Sequence, residues 1–433
     1  MKVAIVGYEV EGRSAYAYWH KQGADITICD QDPAKVIPSG VPARLGEDYL
    51  ERLDKFDVIV RTPGLQPRLI LDRNPDVADK ITTVVDEFLR VCPTKHTIGI
   101  TGTKGKGTTA TLITRMLEIS GRSVFLGGNI GVPPLDFLDK LDEESWVVLE
   151  LSSYQLADIR HSTAIAVCLM VAPEHLNWHA DMDEYVLSKS HLFEHQEYNG
   201  LAIYYAQNDL SKKIASYSHG LKMPYFASPG AYIRDGAIVI DNETVCSLRD
   251  IKLLGEHNWQ NICAAVTVVW QIVPSITEIR SVLTTFTGLE HRLEFVREVD
   301  QVKYYNDSYA SAPDATIAAL SAITDNTVMI MGGFDRNLPL EGLAAAAREH
   351  TDHLRKVVLI GASSQRLAQA FGSAGFVNYV IEPSKEMASI IEKARSFALP
   401  GDSIVLSPGF PSFDMFKNFT DRGLQYKAII EQL

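Results

Sequence analysis

Short apolar runs alternate with stretches of helical periodicity along the whole chain. This alternation is typical of parallel β-sheets whose strands are joined by crossover helices. We therefore predict an α/β protein. The predicted strands form three groups: VAIVG, DITICD and FDVIVRTPG; then HTIGITG, SVFLGG, WVVLELSS, AIAVCLMV and GLAIYYAQND; and last VKYYNDS, TVMIMGG, KVVLIG and DSIVLSPG.

The three groups of strands predict three domains. Pro93, in the segment RVCPTKH, interrupts a helical pattern just before a new strand. A second boundary follows the helical runs NICAAVTVVWQIV and ITEIRSVLTTF, near TFTGLEHR. No repeat of fixed period is present, which excludes a solenoid. We expect domains at 1–92, 93–287 and 288–433.

Composition and charge narrow the class of protein. Apolar residues make up 46% of the 433 residues, enough for a core in each domain. The net charge of -13 disfavours general nucleic-acid binding. The five cysteines are scattered, which argues against disulfides and a thiolate zinc site. Without a signal-peptide pattern or an apolar run that could cross a bilayer, we expect a soluble cytoplasmic protein with no membrane insertion.

The segment TIGITGTKGKGTTATLIT, residues 97–114, has the features of a phosphate-binding loop. It departs twice from the pattern G-x-x-x-x-G-K-[ST], because Ile100 replaces the first glycine and Gly107 separates Lys106 from the hydroxyl residues. Its glycines, its lysine and the following helix nevertheless meet the physical needs of a phosphate cradle. Thr108 or Thr109 can offer a hydroxyl to Mg²⁺. The alternative is an ordinary glycine-rich turn.

Two further segments carry candidate metal ligands. Glu150 ends the strand in WVVLELSSYQL, where it is either a Mg²⁺ ligand or an ordinary strand-end acid. Lys189 and several histidines follow the strand AIAVCLMV. The spacing in HLFEH lacks the glutamate placement of H-E-x-x-H, so a surface helix is favoured over a zinc site. The histidines are His175, His179, His191 and His195.

Motifs along nearly the whole chain resemble those of the Mur ligases, ATP-dependent amide-forming enzymes of peptidoglycan precursor synthesis. This family uses a shortened loop, T-G-T-x-G-K-x-[ST], which accounts for both departures noted above. The last motif is most similar to members that add D-glutamate to UDP-N-acetylmuramoyl-L-alanine. The motifs are GITGTKGKGTT, LELSSYQL, EHLNWH, GEHNWQNICAA, HRLE, NDSYAS and LSPGFPSFDMFKNFTDRG.

The resemblance implies a Rossmann-like UDP-binding domain, a central P-loop ATPase domain with a parallel sheet and a Rossmann-like C-terminal domain. It also implies a reaction in which ATP converts the substrate carboxylate into an acyl phosphate, which the amino acid then attacks. UDP-N-acetylmuramoyl-L-alanine, D-glutamate, ATP and two Mg²⁺ ions are the implied small molecules. We expect a monomer.

Residue by residue, the resemblance places Lys106 on the transferring phosphate and Thr108 with Glu150 on the first Mg²⁺. His175 resembles a ligand of the second Mg²⁺. Lys189 matches a lysine carbamylated by CO₂, although a solvated helix lysine is the alternative. Asn258 and Asn261 resemble nucleotide contacts or are helix caps. The implied ATP-binding residues are Gly102, Thr103, Lys104, Gly105, Lys106, Gly107, Thr108, Thr109, Asn258, Asn261, His291, Arg292 and Asp307, with Arg292 acting on the γ-phosphate.

The two substrate sites follow from the same resemblance. Glu9 stands where a dinucleotide fingerprint needs glycine, which disfavours a dehydrogenase and leaves the contact with a diphosphate open. Ser412 lines the amino acid site or caps a C-terminal helix. The implied UDP-substrate residues are Gly7, Tyr8, Gly12, Asp30, Thr62, Pro63, Gly64, Asn129 and His175, and the implied amino acid residues are Arg336, Ser412, Phe413 and Phe419.

Three positions depart from the D-glutamate-adding pattern. Tyr309 replaces a lysine, Arg336 replaces another lysine, and Phe410 fills a position that is commonly small. These changes leave open a Mur ligase with a different amino acid. A folylpolyglutamate synthase, which Gly107 favours and the N-terminal domain disfavours, is a second alternative. A non-catalytic nucleotide sensor is a third.

Overall fold

The structure, a computed structural model, describes residues 1–253 and 256–433. Residues 1–252 and 256–286 form one compact unit, and Leu253 with 287–433 belongs to a second. The α/β class is confirmed. The division into domains 1–92, 93–287 and 288–433 stays a prediction, because the first two sheets share one compact unit.

The first sheet is fully parallel, with strand order β3-β2-β1-β4-β5. The reversal of strand order on the two sides of β1 creates a switch point at the carboxyl ends of the strands, where open α/β sheets bind ligands. The strands are β1 (Lys2–Val6), β2 (Asp25–Asp30), β3 (Ala43–Leu45), β4 (Val58–Arg61) and β5 (Ile81–Thr82), and the helices are α1 (Val10–Lys21), α2 (Pro67–Leu71) and α3 (Val84–Val91).

The second sheet is also parallel, with order β11-β10-β9-β6-β8-β7. Every residue of β6 and β8 is buried, as expected of central strands in a parallel sheet that is covered on both faces. The strands are β6 (Thr97–Thr101), β7 (Val124–Gly128), β8 (Trp146–Glu150), β9 (Ile165–Cys168), β10 (Leu201–Tyr205) and β11 (Leu221–Tyr225).

The helices of this part include α8, whose residues Ile262 to Val266 are all buried and which packs against α4. A small antiparallel sheet precedes α8, in the order β12-β13-β14. Its strands are β12 (Tyr232–Arg234), β13 (Ala237–Ile240) and β14 (Glu243–Ser247), and the helices are α4 (Lys106–Ile119), α5 (Ser153–Leu156), α6 (Met182–Glu194), α7 (Asp209–Ser216), α8 (Glu256–Trp270) and α9 (Ile276–Thr285).

The second unit holds one sheet of order β15-β16-β20-β17-β18-β19, in which only β15 runs antiparallel to its neighbour. Two apolar clusters cover its two faces. The strands are β15 (Glu294–Val299), β16 (Val302–Asn306), β17 (Thr327–Gly332), β18 (Leu354–Ile360), β19 (Tyr379–Ile381) and β20 (Ser403–Leu406), and the helices are α10 (Pro313–Ala322), α11 (Glu341–Glu349), α12 (Ser364–Ser373), α13 (Met387–Arg395) and α14 (Phe419–Glu431).

All the strands predicted from the sequence are present, each at the predicted apolar run. Within the described parts of the chain, none of the helices has both the length and the apolar character needed to span a membrane.

Candidate functional site

The predicted phosphate loop joins β6 to α4 and ends where α4 begins at Lys106. Gly102 and Gly105 have φ angles of +141° and +86°, which disfavour any residue with a Cβ. Space is equally restricted, since a Cβ on Gly105 would lie 2.0 Å from Oδ1 of Asn261. The loop therefore presents backbone amides and the start of a long helix, as an anion site requires.

Lys106 folds back over this loop. Its Nζ donates hydrogen bonds to the carbonyl oxygens of Thr103, at 3.0 Å, and Gly102, at 3.2 Å. The same Nζ lies 3.8 Å from Oε1 of Glu150, and its side chain is 16% exposed. A partly accessible cation thus lies beside the loop, where an outer phosphate would need it.

The other polar residues of the loop have different surroundings. The Oγ1 of Thr103 donates to the carbonyl of Ala172 and lies 2.9 Å from the hydroxyl of Tyr185, so this side chain fastens the loop. Lys104 is exposed and pairs with Glu174 at 2.6 Å. The backbone amide of Thr103 is also engaged, since it donates to the carbonyl oxygen of Met170 at 2.8 Å, and contact of Thr103 and Lys104 with ATP stays a prediction.

The two threonines of α4 differ in exposure. Thr108 is half-buried, whereas Thr109 is fully buried with Gly107 on the inner side of the helix. The Oγ1 of Thr109 finds no hydrogen-bond partner within residues 1–253 and 256–433. The accessible hydroxyl is the one that the sequence analysis assigned to Mg²⁺.

Glu150 ends β8 next to the loop and is buried. Its Oε2 accepts a hydrogen bond from Nδ2 of Asn129 at 3.2 Å, and its carbonyl oxygen accepts the Asn129 amide at 2.8 Å. Asn129, a predicted substrate contact, is therefore held against a predicted metal ligand.

Lys189 is the most unusual side chain of this site. It is 1% exposed, its Nζ donates to the carbonyl of Gly102 at 2.9 Å, and it lies 4.5 Å from the ring centre of Tyr185. Burial lowers the pKa of Lys189 to about 7, and the charge of Lys106 acts in the same direction. The alternative of a solvated helix lysine is wrong, because α6 places this residue against the loop.

His175 lies beside this group with a left-handed backbone, at a φ of +62°. Its ring contacts Tyr154, with centroids 4.9 Å apart, and its Nε2 lies 3.6 Å from Glu174. Partial burial lowers the pKa of His175, and Lys106 and Lys189 lower it further. A neutral imidazole is the form that binds a metal ion.

The remaining histidines have structural surroundings. His179 is buried, its Nε2 lies 2.9 Å from Oγ of Ser153, and burial lowers its pKa to about 4. His191 bonds through Nδ1 to the carbonyl of Leu156, and His195 follows α6 as its C-cap. The preference against zinc at these histidines stays a prediction.

Asn258 and Asn261 lie within α8, not before it, so the helix-cap alternative is wrong. The amide of Asn261 donates to Oδ1 of Asn258 at 2.9 Å. Because the Asn261 side chain also borders Gly105, the motif HNWQN contacts the phosphate loop directly. Gly255, which opens the motif GEHNWQN, lies outside the described residues.

Five of the predicted UDP residues meet at the switch point of the first sheet. Oδ2 of Asp30 accepts a hydrogen bond from the backbone amide of Tyr8 at 2.8 Å, and Oγ1 of Thr62 donates one to the carbonyl oxygen of Val6. A Cβ on Gly12 would lie 2.1 Å from the carbonyl oxygen of Gly7, so the start of α1 approaches the loop closely. Gly7, Tyr8, Gly12, Asp30 and Thr62 thus form one cluster.

Glu9 precedes α1 but does not leave a bare negative charge there. Its carboxylate lies 2.5 Å from Nζ of Lys35, and that ammonium is also 3.7 Å from Asp30. Lys35 therefore offsets the charge that the sequence analysis identified as a liability for diphosphate binding. Lys35 was not predicted as a site residue, because a lysine in a loop is usually expected to be exposed to solvent.

Arg61, also missed from the sequence, is fully buried between the first and second sheets. Its guanidinium binds Asp158 through Nε, at 2.8 Å, and Nη2. It also donates to the carbonyl oxygens of Thr62, Leu65 and Tyr154.

Trp178 contacts the same loop, because its Nε1 donates a hydrogen bond to the carbonyl oxygen of Gly64 at 3.2 Å. The Thr62-Pro63-Gly64 loop is thereby fixed to the elements that carry Tyr154 and His175.

In the second unit, His291, Arg292 and Asp307 are neighbours. The carboxylate of Asp307 accepts from Ser407 Oγ at 2.6 Å and from the amide of Leu293 at 3.0 Å. Burial raises the pKa of Asp307 to about 7. The guanidinium carbon of Arg292 lies 3.8 Å from the ring centre of Tyr309. These three predicted nucleotide residues are brought together.

The predicted amino acid residues are more dispersed. Arg336 is exposed, and Phe413 is 61% exposed beside Phe334, with centroids 6.3 Å apart. Ser412 is buried, and its Oγ lacks a hydrogen-bond partner in the part of the chain that the structure describes. Phe419 begins α14, 37% exposed.

One alternative for this C-terminal segment is wrong. The N-cap of α14 is Asn418, whose side chain accepts a hydrogen bond from the amide of Asp421, so Ser412 does not cap the helix. Phe410, which fills a position that is commonly small, is buried in one of the two cores of this unit.

Arg422 holds this segment together and was not singled out from the sequence. It is fully buried and donates to Ser308 through Nε, at 2.9 Å, and Nη2, at 2.8 Å, and to the carbonyl of Phe410 through Nη1. Burial lowers its pKa to about 10. Arg422 lies within the motif LSPGFPSFDMFKNFTDRG, and this position is the sequence feature that could have identified it as an important residue.

Comparison with known proteins supports the family resemblance. A family model described as the Mur ligase middle domain matches residues 100–269, and one described as Mur ligase, glutamate ligase domain matches residues 291–410. The chain is 37% identical over 450 residues to the UDP-N-acetylmuramoylalanine--D-glutamate ligase of Clostridium novyi (strain NT), covering 100% of this chain and 97% of that protein.

Solved structures share the fold at low identity. MurF from Acinetobacter baumannii superposes with a TM-score of 0.63 at 16% identity, covering 99% of this chain and 93% of the other. E. coli FolC in complex with DHPP and ADP gives a TM-score of 0.58 at 16% identity, covering 81% and 92%. At such identity these likenesses show the fold alone.

Proposed function

The chain belongs to the Mur ligase family, and from that premise we propose that it joins D-glutamate to UDP-N-acetylmuramoyl-L-alanine in peptidoglycan precursor synthesis, with conversion of ATP to ADP and phosphate. It is accordingly an acid–D-amino-acid ligase. The single structural observation that carries the proposal is the convergence of Lys106 and Lys189 on one carbonyl, that of Gly102. We further propose that it acts in the cytoplasm as a monomer.

The first step activates the carboxylate of the L-alanyl group. One carboxylate oxygen attacks the γ-phosphorus of ATP, an O–P bond forms, and the bond to ADP breaks with its electron pair leaving on ADP. The amides around Gly102 and Gly105, with the N-terminus of α4, bind the phosphates. Lys106 reduces the repulsion between the anionic oxygens that must approach one another.

The second step forms the amide. The amine of D-glutamate attacks the acyl carbon, a tetrahedral intermediate forms, and phosphate leaves with the electron pair of the C–O bond while the nitrogen loses one proton. The enzyme's contribution is mainly the placement of two substrates and the stabilisation of negative charge. No nucleophilic side chain is required.

The described residues fit a magnesium site. Glu150 offers a buried carboxylate beside Lys106, and Thr108 offers an accessible hydroxyl in the first turn of α4. His175, with a lowered pKa, adds a neutral imidazole. These residues would hold Mg²⁺, whose positive charge would offset that of the phosphates. We propose two such ions, the second on His175 and a modified Lys189.

Lys189 suits that modification. A buried ammonium beside Lys106 would repel a cation, so the unmodified charged side chain does not fit a metal site. With a pKa of about 7, a large share of Lys189 is the neutral amine at neutral pH, and the neutral amine is what attacks CO₂. Its nitrogen forms a bond to the carbon of CO₂, one C–O π bond breaks onto oxygen, and the nitrogen releases one proton, which leaves a carbamate whose single negative charge is shared by two oxygens.

The sugar nucleotide would occupy the switch point of the first sheet. The segment from Gly7 to Gly12 includes the start of α1, and Lys35 places a cation near it. A diphosphate that displaced Glu9 from Lys35 would keep that ammonium paired. This supports a substrate that carries a diphosphate, as a UDP-linked substrate does.

The amino acid site would comprise Arg336, Ser412, Phe413 and Phe419. Arg336 is exposed and keeps the positive charge of the lysine that it replaces, so it can bind a side-chain carboxylate in a bidentate manner. The Oγ of Ser412 is buried and available for a new hydrogen bond. An acidic amino acid therefore remains the best match.

Release of phosphate from ATP tests the proposal. The assay should combine UDP-N-acetylmuramoyl-L-alanine with each member of a panel of D- and L-amino acids. We expect release only when both substrates are present, and fastest with D-glutamate. A preference for another amino acid would assign a different Mur ligase, and turnover with a folate would assign a folylpolyglutamate synthase. ATP binding without any product would indicate a sensor.

A further inference from the structure

Tyr309 lies against the guanidinium of Arg292 in the second unit. The guanidinium carbon is 3.8 Å from the ring centre, well inside the range of a cation–π contact. Tyr309 is 42% exposed, so this contact faces solvent and is open to a ligand. An arginine stacked on an aromatic ring loses much of its side-chain freedom.

The backbone of Tyr309 is itself fixed on two sides. Its amide donates to the carbonyl of His291 at 2.9 Å. The preceding residue, Ser308, receives two hydrogen bonds from the buried guanidinium of Arg422 and donates through Oγ to the carbonyl of Phe419. The ring is therefore a rigid support, not a loop side chain that follows Arg292.

The ring of Tyr309 also has a second aromatic neighbour. Phe419 meets it edge to face, with centroids 5.1 Å apart, and contacts the ring of His291 at 6.0 Å. Arg292 thus rests on a ring that a second aromatic side chain also contacts. The D-glutamate-adding relatives to which the motif NDSYAS is similar usually carry lysine at this position, and a lysine offers no ring.

We propose that Tyr309 is a positioning residue that holds the guanidinium of Arg292 in the orientation that binds the γ-phosphate of ATP. The inference rests on the proposed function, because it takes Arg292 as the γ-phosphate ligand. Tyr309 need not touch ATP. Tyr309 supplies no charge of its own in place of the lysine, and instead orients the positive charge of Arg292.

This inference makes a specific prediction about nucleotides. A pre-oriented Arg292 favours ATP, which has a γ-phosphate, and does nothing for ADP. Loss of the ring should therefore weaken binding of a non-hydrolysable ATP analogue by about threefold to thirtyfold, the range expected of a cation–π contact, while ADP binding stays unchanged. A general loss of structure would weaken both nucleotides.

The experiment measures the ratio of Kd for ADP to Kd for the non-hydrolysable ATP analogue by calorimetry on the full chain with Mg²⁺. Tyr309→Phe should keep the wild-type ratio, because it keeps the ring. Tyr309→Leu should lower the ratio by about threefold to thirtyfold. If thermal melting shows that the Tyr309→Leu variant is unfolded, Tyr309→Met is used in its place.

A second background separates positioning from a direct contact. In Arg292→Ala, the change Tyr309→Leu should have no further effect on the ratio, because Tyr309 acts through Arg292. An unchanged ratio in Tyr309→Leu, or an equal drop in both backgrounds, overturns the inference. Because these are binding measurements, they stand apart from the proposed function, which fails separately if the wild-type chain forms no amide product.

Discussion

Lys106 and Lys189 direct their Nζ atoms at the same carbonyl oxygen, that of Gly102, from 3.2 Å and 2.9 Å. Two ammonium groups at one acceptor repel each other, which agrees with the lowered pKa of Lys189. Conversion of Lys189 into a carbamate would replace this repulsion by attraction to Lys106 and to a metal ion.

The first prediction concerns Lys189. Lys189→Ala should lose ligase activity, because the carbamate can no longer form, and added short-chain carboxylates such as acetate should restore part of it. Phosphate release with and without the carboxylate measures the effect. Lys213→Ala is the matched control, since Lys213 is exposed and pairs with Asp183 outside the assigned sites, and it should keep most activity. A fully active Lys189→Ala variant would show that the carbamate assignment is wrong.

The two threonines of α4 give a second prediction. Thr108→Ala should raise the Mg²⁺ concentration needed for half-maximal phosphate release by about tenfold or more, because it removes a metal-binding hydroxyl. Thr108→Ser should need the same Mg²⁺ concentration as the wild type, because it keeps the hydroxyl. Thr109→Val removes a buried hydroxyl that has no partner in the described ranges, and should leave the requirement unchanged. The reverse pattern would move the hydroxyl ligand to Thr109.

Arg61 gives a third prediction. Arg61→Met should lower the free energy of unfolding by roughly 3–5 kcal/mol, because it leaves Asp158 without its buried partner. It should also raise KM for the UDP-linked substrate, because the loop from Thr62 to Leu65 loses its anchor. Urea unfolding and steady-state kinetics measure the two effects.

A matched control for Arg61 is Arg68→Met. Arg68 also donates across the two sheets, to the carbonyl of Trp178 at 3.2 Å, but its side chain is 46% exposed. Its loss should cost little, as expected of an exposed contact. Equal effects of the two substitutions would contradict a special role for the buried guanidinium.

Asp307 gives a prediction about pH. Its pKa is about 7 in the folded protein and near 3.8 when unfolded, so between these values the folded state holds the additional proton. Its contribution to stability is therefore present below about pH 4 and is lost as the pH rises through about 7. The melting temperature of the wild type should fall relative to that of Asp307→Asn between pH 5 and pH 8. Parallel curves would contradict the raised pKa.

Much of the fold followed from apolar runs. DITICD, for example, matches β2 at both ends, because an aspartate bounds its largely apolar run on each side. The antiparallel strands β12 to β14 were not predicted, since they have only 3 to 5 residues each and partly exposed patterns.

The candidate site was predictable only as far as its motifs reached. The glycines, Lys106 and Glu150 come together as expected, because a strand, a loop and a helix in sequence determine their positions. Burial was not predictable for Lys189, Arg61 and Arg422, because each is buried by segments distant in the chain. The contact between Arg292 and Tyr309 likewise depends on how two loops meet.

The most direct test of the central claim follows oxygen from substrate to product. UDP-N-acetylmuramoyl-L-alanine labelled with ¹⁸O in its carboxylate should be incubated with the enzyme, ATP, Mg²⁺ and D-glutamate, and both products should be analysed by mass spectrometry. Amide formation through an acyl phosphate predicts a product enlarged by one glutamyl residue, with one ¹⁸O in each released phosphate. Unlabelled phosphate, or no glutamyl product, would contradict the account.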